Sequence, residues 1–215
     1  MIANLNPRIH NLSPLVLTID DFANAEECAA IIALVEGRLK PAAIAGDGGK
    51  VVQTDLRTNS DILVRPEKAP VLGQLLMKLG LLMRLPTDHA EAFNVLHYLP
   101  GQEFKPHADA LSAEFIARHG EAHAKMGGQR LFSTMIYLND VEEGGATTFP
   151  HLGLSVAARL GRLLVFSNTE PGSDQPDPLS EHAGEPVIRG EKWSAIAWWR
   201  QGPYTPVALT PEAAR

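Results

Sequence analysis

The hydrophobic pattern divides the chain into two halves with different periods. In the first, Leu15-Val16-Leu17-Thr18-Ile19 is a short apolar run of strand type that ends at Asp20-Asp21. Asn24, with Glu27 three residues on, has the form of a capping box, in which the Asn side chain accepts an orphan backbone N–H. The spacing predicts a helix from there to about Leu39, stopped before Pro41. A second helix is predicted from Pro66 to about Leu85, with Pro in its first turn and Pro86 closing it. Residues 41–50 (PAAIAGDGGK) have no hydrophobic period and read as a mobile loop. Two strand-like runs, Val51-Val52 and Ile62-Leu63-Val64, flank Arg57-Thr58-Asn59-Ser60.

After Pro86 the period changes. Segments 91–98, 103–109, 131–138, 146–149, 154–156, 162–167, 186–188 and 193–199 are short, rich in β-branched, aromatic and Leu residues, and bounded by turn signals such as Pro100-Gly101 and Arg189-Gly190. Eight such strands predict a sandwich or jelly roll rather than βαβ units. A polar, Ala-rich insert at 110–129 has room for one helix. Helices first and a β core second give an α+β fold. We expect one domain over residues 1–215, with a supporting unit at about 14–90 and the core at about 91–203.

Composition narrows the classes. Apolar residues are 45% and charged residues 20%, an ordinary globular balance that excludes a disordered chain. The net charge of −6 disfavours nucleic acid as a partner, because phosphate contacts call for the opposite sign. The most apolar stretch, Val71 to Leu85, carries Lys78 and Arg84 and is too short to span a bilayer. No basic-then-apolar leader is read at the N-terminus. The single cysteine, Cys28, sits in an apolar helical run as a small buried hydrophobe, which fits a reducing compartment. The expectation is a soluble cytoplasmic protein with no membrane partner, either a monomer or a homodimer.

Three residues stand out chemically. In His107-Ala108-Asp109, strand geometry would put an imidazole and a carboxylate on one face, able to grip a metal ion; the plain alternative is a surface His beside a solvated Asp. His182, just before the run Pro186-Val187-Ile188, supplies a third ligand type. Two His and one carboxylate make the facial triad of non-haem Fe(II) oxygenases, whereas zinc would more often take three or four N/S ligands. His119 and His123 have the i, i+4 spacing of a helical metal pair, but Gly120 weakens that helix. Lys192, ten residues after His182, opens the aromatic strand Trp193-Ser194-Ala195-Ile196-Ala197-Trp198. It is either a solvated strand end or an ammonium directed inward that needs a carboxylate partner. By period 2, Lys192, Ser194, Ile196 and Trp198 share the interior face, leaving Trp193 and Trp199 outward under the helices.

Together YLPGQEFKPHAD (98–109), RLFSTMIYLNDVEEGGATTFP (130–150) and HAGEPVIRGEKWSAIAWWR (182–200) resemble the prolyl 4-hydroxylase family of Fe(II)/2-oxoglutarate-dependent dioxygenases. The likeness extends over about residues 14–203 and includes Leu56-Arg57-Thr58-Asn59-Ser60. It implies a double-stranded β-helix (jelly-roll) core flanked by N-terminal helices. It also implies Fe(II) on His107, Asp109 and His182. Lys192 would pair with the distal carboxylate of 2-oxoglutarate, helped by the hydroxyls of Tyr98 and Thr134, with Trp198 walling the pocket. The implied cosubstrates are 2-oxoglutarate and O₂, with ascorbate as a further reductant; the implied reaction yields succinate and CO₂ and hydroxylates an unactivated C–H bond.

The substrate implied is a prolyl residue of a peptide or protein, held by Arg57 and Arg200, with the 41–50 loop as a lid. One departure bears on this: the family's usual tyrosine three residues before the first iron ligand is Phe104 here. A small, single-domain, bacterial-type homologue is the nearer likeness. Three rivals are weighed at this point. One is the same chemistry on a free amino acid, a small metabolite or another side chain. The second is a cupin-like module that holds a metal without turnover. The third, nucleic-acid demethylation on a related fold, would require a basic groove that the net charge of −6 does not advertise.

Overall fold

A computed structural model describes residues 5–42, 44–45, 51–52 and 55–207. In chain order its elements are β1 (Pro7–Leu12), β2 (Leu15–Ile19), α1 (Ala25–Val35), β3 (Lys40–Pro41), β4 (Ile44–Ala45), β5 (Val51–Val52), β6 (Ser60–Val64) and α2 (Pro70–Met83). There follow β7 (Phe93–Tyr98), β8 (Phe104–His107), α3 (Ala113–Lys125), β9 (Arg130–Tyr137), β10 (Glu143–Gly144), β11 (Thr147–Phe149) and β12 (Leu154–Val156). The last are β13 (Leu163–Ser167), β14 (His182–Gly184), β15 (Val187–Arg189) and β16 (Lys192–Arg200).

Local chemistry sets the helix limits. The Asn24 side chain accepts from the Glu27 N–H at 2.8 Å and the Glu27 carboxylate accepts from the Asn24 N–H at 2.8 Å, so α1 starts on a complete capping box. The second helix begins later than its pattern predicts. Residues 66–68 form a separate 3₁₀ turn, and Ala69 is extended because the ring of Pro70 disfavours a helical residue before it. Helix α3 occupies the insert and is kinked at His119, beside Gly120. No helix among the described residues is long and apolar enough to cross a membrane.

Two antiparallel sheets face each other. The large one runs β1-β2-β13-β9-β16-β7-β6-β3 and the small one β12-β11-β14-β8, with β10 and β15 pairing beside them. Antiparallel strands feeding two opposed sheets make a double-stranded β-helix, the fold class expected. All eight strands anticipated after Pro86 are present, and β10 and β14 add to them. The large sheet buries both faces. Its outer face packs under α1 and α2 through Ile31, Val35, Leu72, Leu75, Leu79, Trp193 and Trp199. Its inner face meets the small sheet through Leu96, Met135, Phe149, Leu164, Phe166 and Ile196. Cys28 is fully buried in the outer core, and burial pushes its thiol up to about 11.

Two expectations in the first half change. Strand β1 is not among the expected elements: it is an edge strand with no buried residue on either side, exposing Ile9 and Leu12, so no apolar alternation marks it. The predicted loop at 41–50 contains ladder pairing: β3 pairs with β6, and β4 pairs with β5 as a hairpin. Its tip, residues 46–50, lies outside the described residues.

Candidate active site

The site is assembled where β8 meets β14. The register sets His107 directly opposite His182, and their rings lie 4.3 Å apart between centroids. Strand β8 ends at His107, so Asp109 follows in a bend rather than on the strand face expected for it. That bend brings Asp109 Oδ1 to 3.9 Å from His107 Nε2 and Oδ2 to 3.6 Å from His182 Nε2. One ligand atom from each of the three residues lies within 4.8 Å of the others.

The imidazoles are oriented for ligation. His107 Nδ1 lies 2.9 Å from the Lys105 carbonyl and His182 Nδ1 lies 3.1 Å from the Ser180 carbonyl. A carbonyl only accepts, so each Nδ1 carries the proton and each Nε2 presents a lone pair to the shared centre. Burial, with His182 close by, pushes His107 down to about 3, which keeps the ring neutral and able to bind metal. Burial works to raise Asp109, but His182, then His107, and the Ser133 hydroxyl outweigh it and hold the carboxyl below its ordinary value. Ser133 donates to Asp109 Oδ2 at 2.6 Å and is itself held by Asn168 at 3.0 Å. Sequence reasoning missed both residues. The available signal was that Ser133 shares a face of β9 with Met135 and Tyr137.

The three ligands line a cleft whose walls include Leu96, Met135 and Ile196, and the buried Lys192 lines it too. Lys192 is 2% exposed, and burial pushes its ammonium down from 10.5 to about 7. The Tyr98 and Tyr137 rings lie 5.2 and 5.6 Å from Nζ. Among the described residues no carboxylate forms an ion pair with it; Glu185 only attracts it. Tyr98 lines the cleft, its phenol pushed up to about 12 by burial and so neutral. Tyr137 donates to Thr147 Oγ1 at 2.8 Å, and Thr147 lines the cleft as well.

Thr134 is not in the cleft. Its hydroxyl donates to the Ala197 carbonyl at 3.1 Å and accepts from Trp199 Nε1 at 3.0 Å, on the outer face of the large sheet. The reason is parity: Thr134 shares its side of β9 with Ile136, and Ser133, Met135 and Tyr137 take the inner side. Trp198 does line the cleft, with the Arg130 guanidinium 4.0 Å above its ring. Trp193 and Trp199 face the helices.

Arg57 lines the cleft, its guanidinium 4.8 Å from the Phe104 ring, which stacks on His107 at 3.5 Å. Arg57 is fixed by Asn59 at 3.0 Å and Asp61 at 2.7 Å.

Arg200 also departs from expectation. The Arg200 side chain does not line the cleft; at the register shift between Trp199 and Arg200, where Leu131 of β9 is the extra residue, it enters an ion cluster instead. There Arg200 donates to Glu91 at 2.7 Å and to the Gly128 carbonyl at 2.6 Å, while Arg130 grips the same carboxylate at 2.6 and 2.9 Å. The two guanidinium groups overcome the burial penalty and hold Glu91 below its ordinary value. Because one buried carboxylate serves two cations, the buried Arg200 and the half-buried Arg130, Glu91→Gln should destabilise the fold by about 3–5 kcal/mol. A thermal melt checks this; at roughly 2–4 °C per kcal/mol the midpoint should fall by about 10 °C.

The family model described as the 2OG-Fe(II) oxygenase superfamily matches residues 93–200. Probable prolyl 4-hydroxylase 3 of Arabidopsis thaliana is 33% identical over 211 residues, covering 89% of this chain and 71% of that protein. Prolyl 4-hydroxylase 1 of the same plant is 33% identical over 215 residues, covering 93% and 74%. Among solved structures, the 2OG complex of a viral collagen prolyl hydroxylase from Paramecium Bursaria Chlorella virus-1 superposes with a TM-score of 0.66 at 24% identity, over 85% of this chain and 94% of that one. A Pseudomonas putida prolyl-4-hydroxylase superposes with a TM-score of 0.56 at 20% identity, over 86% and 92%.

Proposed function

Because the chain belongs to the prolyl 4-hydroxylase family of 2OG-Fe(II) oxygenases, we propose that it hydroxylates prolyl residues in a peptide or protein. It is a 2-oxoglutarate-dependent dioxygenase. The observation that carries the substrate reading is the shape of the site. A three-ligand centre, an anchored guanidinium and a buried cation all line one cleft.

The residues fit the cofactors the family uses. Two imidazoles and one carboxylate are the donor set that suits non-haem Fe(II), and His107, Asp109 and His182 would hold it. Lys192 would take the distal carboxylate of 2-oxoglutarate, with the Tyr98 hydroxyl beside it. Bound iron supplies O₂ activation coupled to decarboxylation of 2-oxoglutarate to succinate and CO₂.

The chain's own work is positional. Lys192 recognises the end of the cosubstrate by charge in a low-dielectric setting, where such a contact is strong. Ser133 and Asn168 keep Asp109 in one orientation. Leu96, Met135 and Ile196 exclude water from the reacting volume. Trp198, pinned by Arg130, walls the side from which the target carbon would approach.

The test is anaerobic assembly with Fe(II), 2-oxoglutarate and ascorbate, then air in the presence of proline-containing peptides. The expected result is a mass gain of one oxygen on proline together with peptide-stimulated succinate. Succinate formation that no proline peptide stimulates would transfer the chemistry to a free amino acid, a small metabolite or another side chain.

A further inference from the structure

Two polar atoms in the cleft have no partner among the described residues, and they are opposite in kind. Asn94 is 4% exposed and lines the cleft; its Nδ2 donates to Asp61 Oδ2 at 3.0 Å. A carboxylate oxygen only accepts, so this bond fixes the amide orientation and leaves Oδ1 as the buried acceptor without a donor. Trp198 Nε1 is a buried donor without an acceptor. Native proteins rarely leave such atoms unsatisfied, so a pair of them in one cleft marks where a ligand's polar groups belong.

The register makes them diagonal neighbours. Asn94 on β7 sits opposite Ile196 on β16, and Trp198 is the next residue of β16 facing the same way. Diagonal positions on an antiparallel pair stand about 7–8 Å apart, which leaves room for one planar group between the two side chains. Both ends are held. Asp61 ties Asn94 to the same carboxylate that grips Arg57, and Arg130 lies on the Trp198 ring.

We infer that Asn94 and Trp198 together read one backbone amide of the substrate, the amide on the C-terminal side of the target residue. A planar group that donates toward Asn94 Oδ1 and accepts from Trp198 Nε1 is a secondary amide. The inference rests on the prolyl-peptide reading above, and that reading decides which amide it is. The bond before a proline has no N–H, so of the two amides that flank the target only the following one both donates and accepts. Arg57, held on the same Asp61 oxygen as Asn94, is left free of this duty. The substrate class is thereby narrowed to a proline followed by at least one further residue or an amide cap.

Two peptides of one sequence ending in the target proline test it, one capped as the N-methylamide and one as the isosteric methyl ester. The ester keeps the carbonyl and loses the N–H. In the wild-type holoenzyme the ester should show a KM about ten-fold or more above the amide, with calorimetric binding following the same order. In Asn94→Ala the ratio should shrink to less than about three-fold, because the acceptor is gone. In Trp198→Phe both peptides should weaken alike, because both present the carbonyl. Equal KM values for amide and ester in the wild type would overturn the inference and leave prolyl hydroxylation standing. An unchanged ratio in Asn94→Ala that melts like the wild type would do the same. Hydroxylation of neither peptide would overturn the prolyl reading and this inference together.

Discussion

His182→Ala should abolish succinate formation while the protein stays folded. His182 supplies one of only three ligand atoms, and the removed imidazole has no substitute within reach among the described histidines and carboxylates. Loss of a ligand leaves a carboxylate and one imidazole, a donor set too small to retain Fe(II) against water. The ring also packs against Phe166, with centroids 4.6 Å apart, so truncation opens a small cavity; a modest cost of about 1–3 kcal/mol is expected on that account. The measurement is two-fold: Fe(II) content after anaerobic dialysis, and succinate per enzyme. Retention of iron and turnover would remove His182 from the centre.

Lys192→Met should do the reverse to stability of what it does to function. A lysine held near 7 in the fold and near 10.5 when unfolded binds fewer protons folded than unfolded. Its burial therefore costs nothing above the unfolded value, grows costlier as pH falls toward 7, and stays at its full cost below. At about 1.4 kcal/mol per unit the full cost reaches at most roughly 5 kcal/mol. The methionine variant, unbranched and of similar length, should accordingly melt several degrees higher than the ligand-free wild type at pH 6–7. The same change should raise the 2-oxoglutarate requirement about ten-fold or more, since a buried charge partner is typically worth 2–5 kcal/mol of binding.

A pH series sharpens the point. Only the protonated amine attracts a carboxylate, so anaerobic 2-oxoglutarate affinity of the wild type should weaken about five-fold between pH 7 and pH 8, and Lys192→Met should show no such slope. A wild-type affinity that is flat across this range would place the ammonium in contact with solvent or with another anion.

The legible parts of this protein were those where period alone decides. Strand β16 alternates without interruption from Lys192 to Trp198, and its parity correctly divided the three tryptophans between the two faces. The Asn24–Glu27 box is local chemistry and needs no tertiary context. Parity says which residues share a side, not which side is inner, and Thr134 was lost to that ambiguity: its opposite number on β16 is Ala197, which faces the helices. Arg200 was lost because its carboxylate partner, Glu91, lies 109 residues away in the chain and meets it only in the folded sheet. The Ser133–Asn168 support could not be read, because its members are 35 residues apart and meet only through the β9–β13 pairing. Asn94 and Ser133 carry ordinary polar side chains in apolar strands, a pattern that marks a site only once both faces of the sheet are known to be buried.

Strand β16 is hydrogen-bonded on both flanks, to β9 and to β7, and it carries Lys192 at one end and Trp198 toward the other. Such a strand acts as a ruler. The spacing between the carboxylate anchor and the aromatic wall is six residues of a backbone that can neither slide nor stretch without breaking ladders on both sides. Attempts to retune this enzyme for a longer or shorter diacid will therefore succeed by exchanging the length of the side chain at the anchor, and insertions within the strand will cost the whole scaffold.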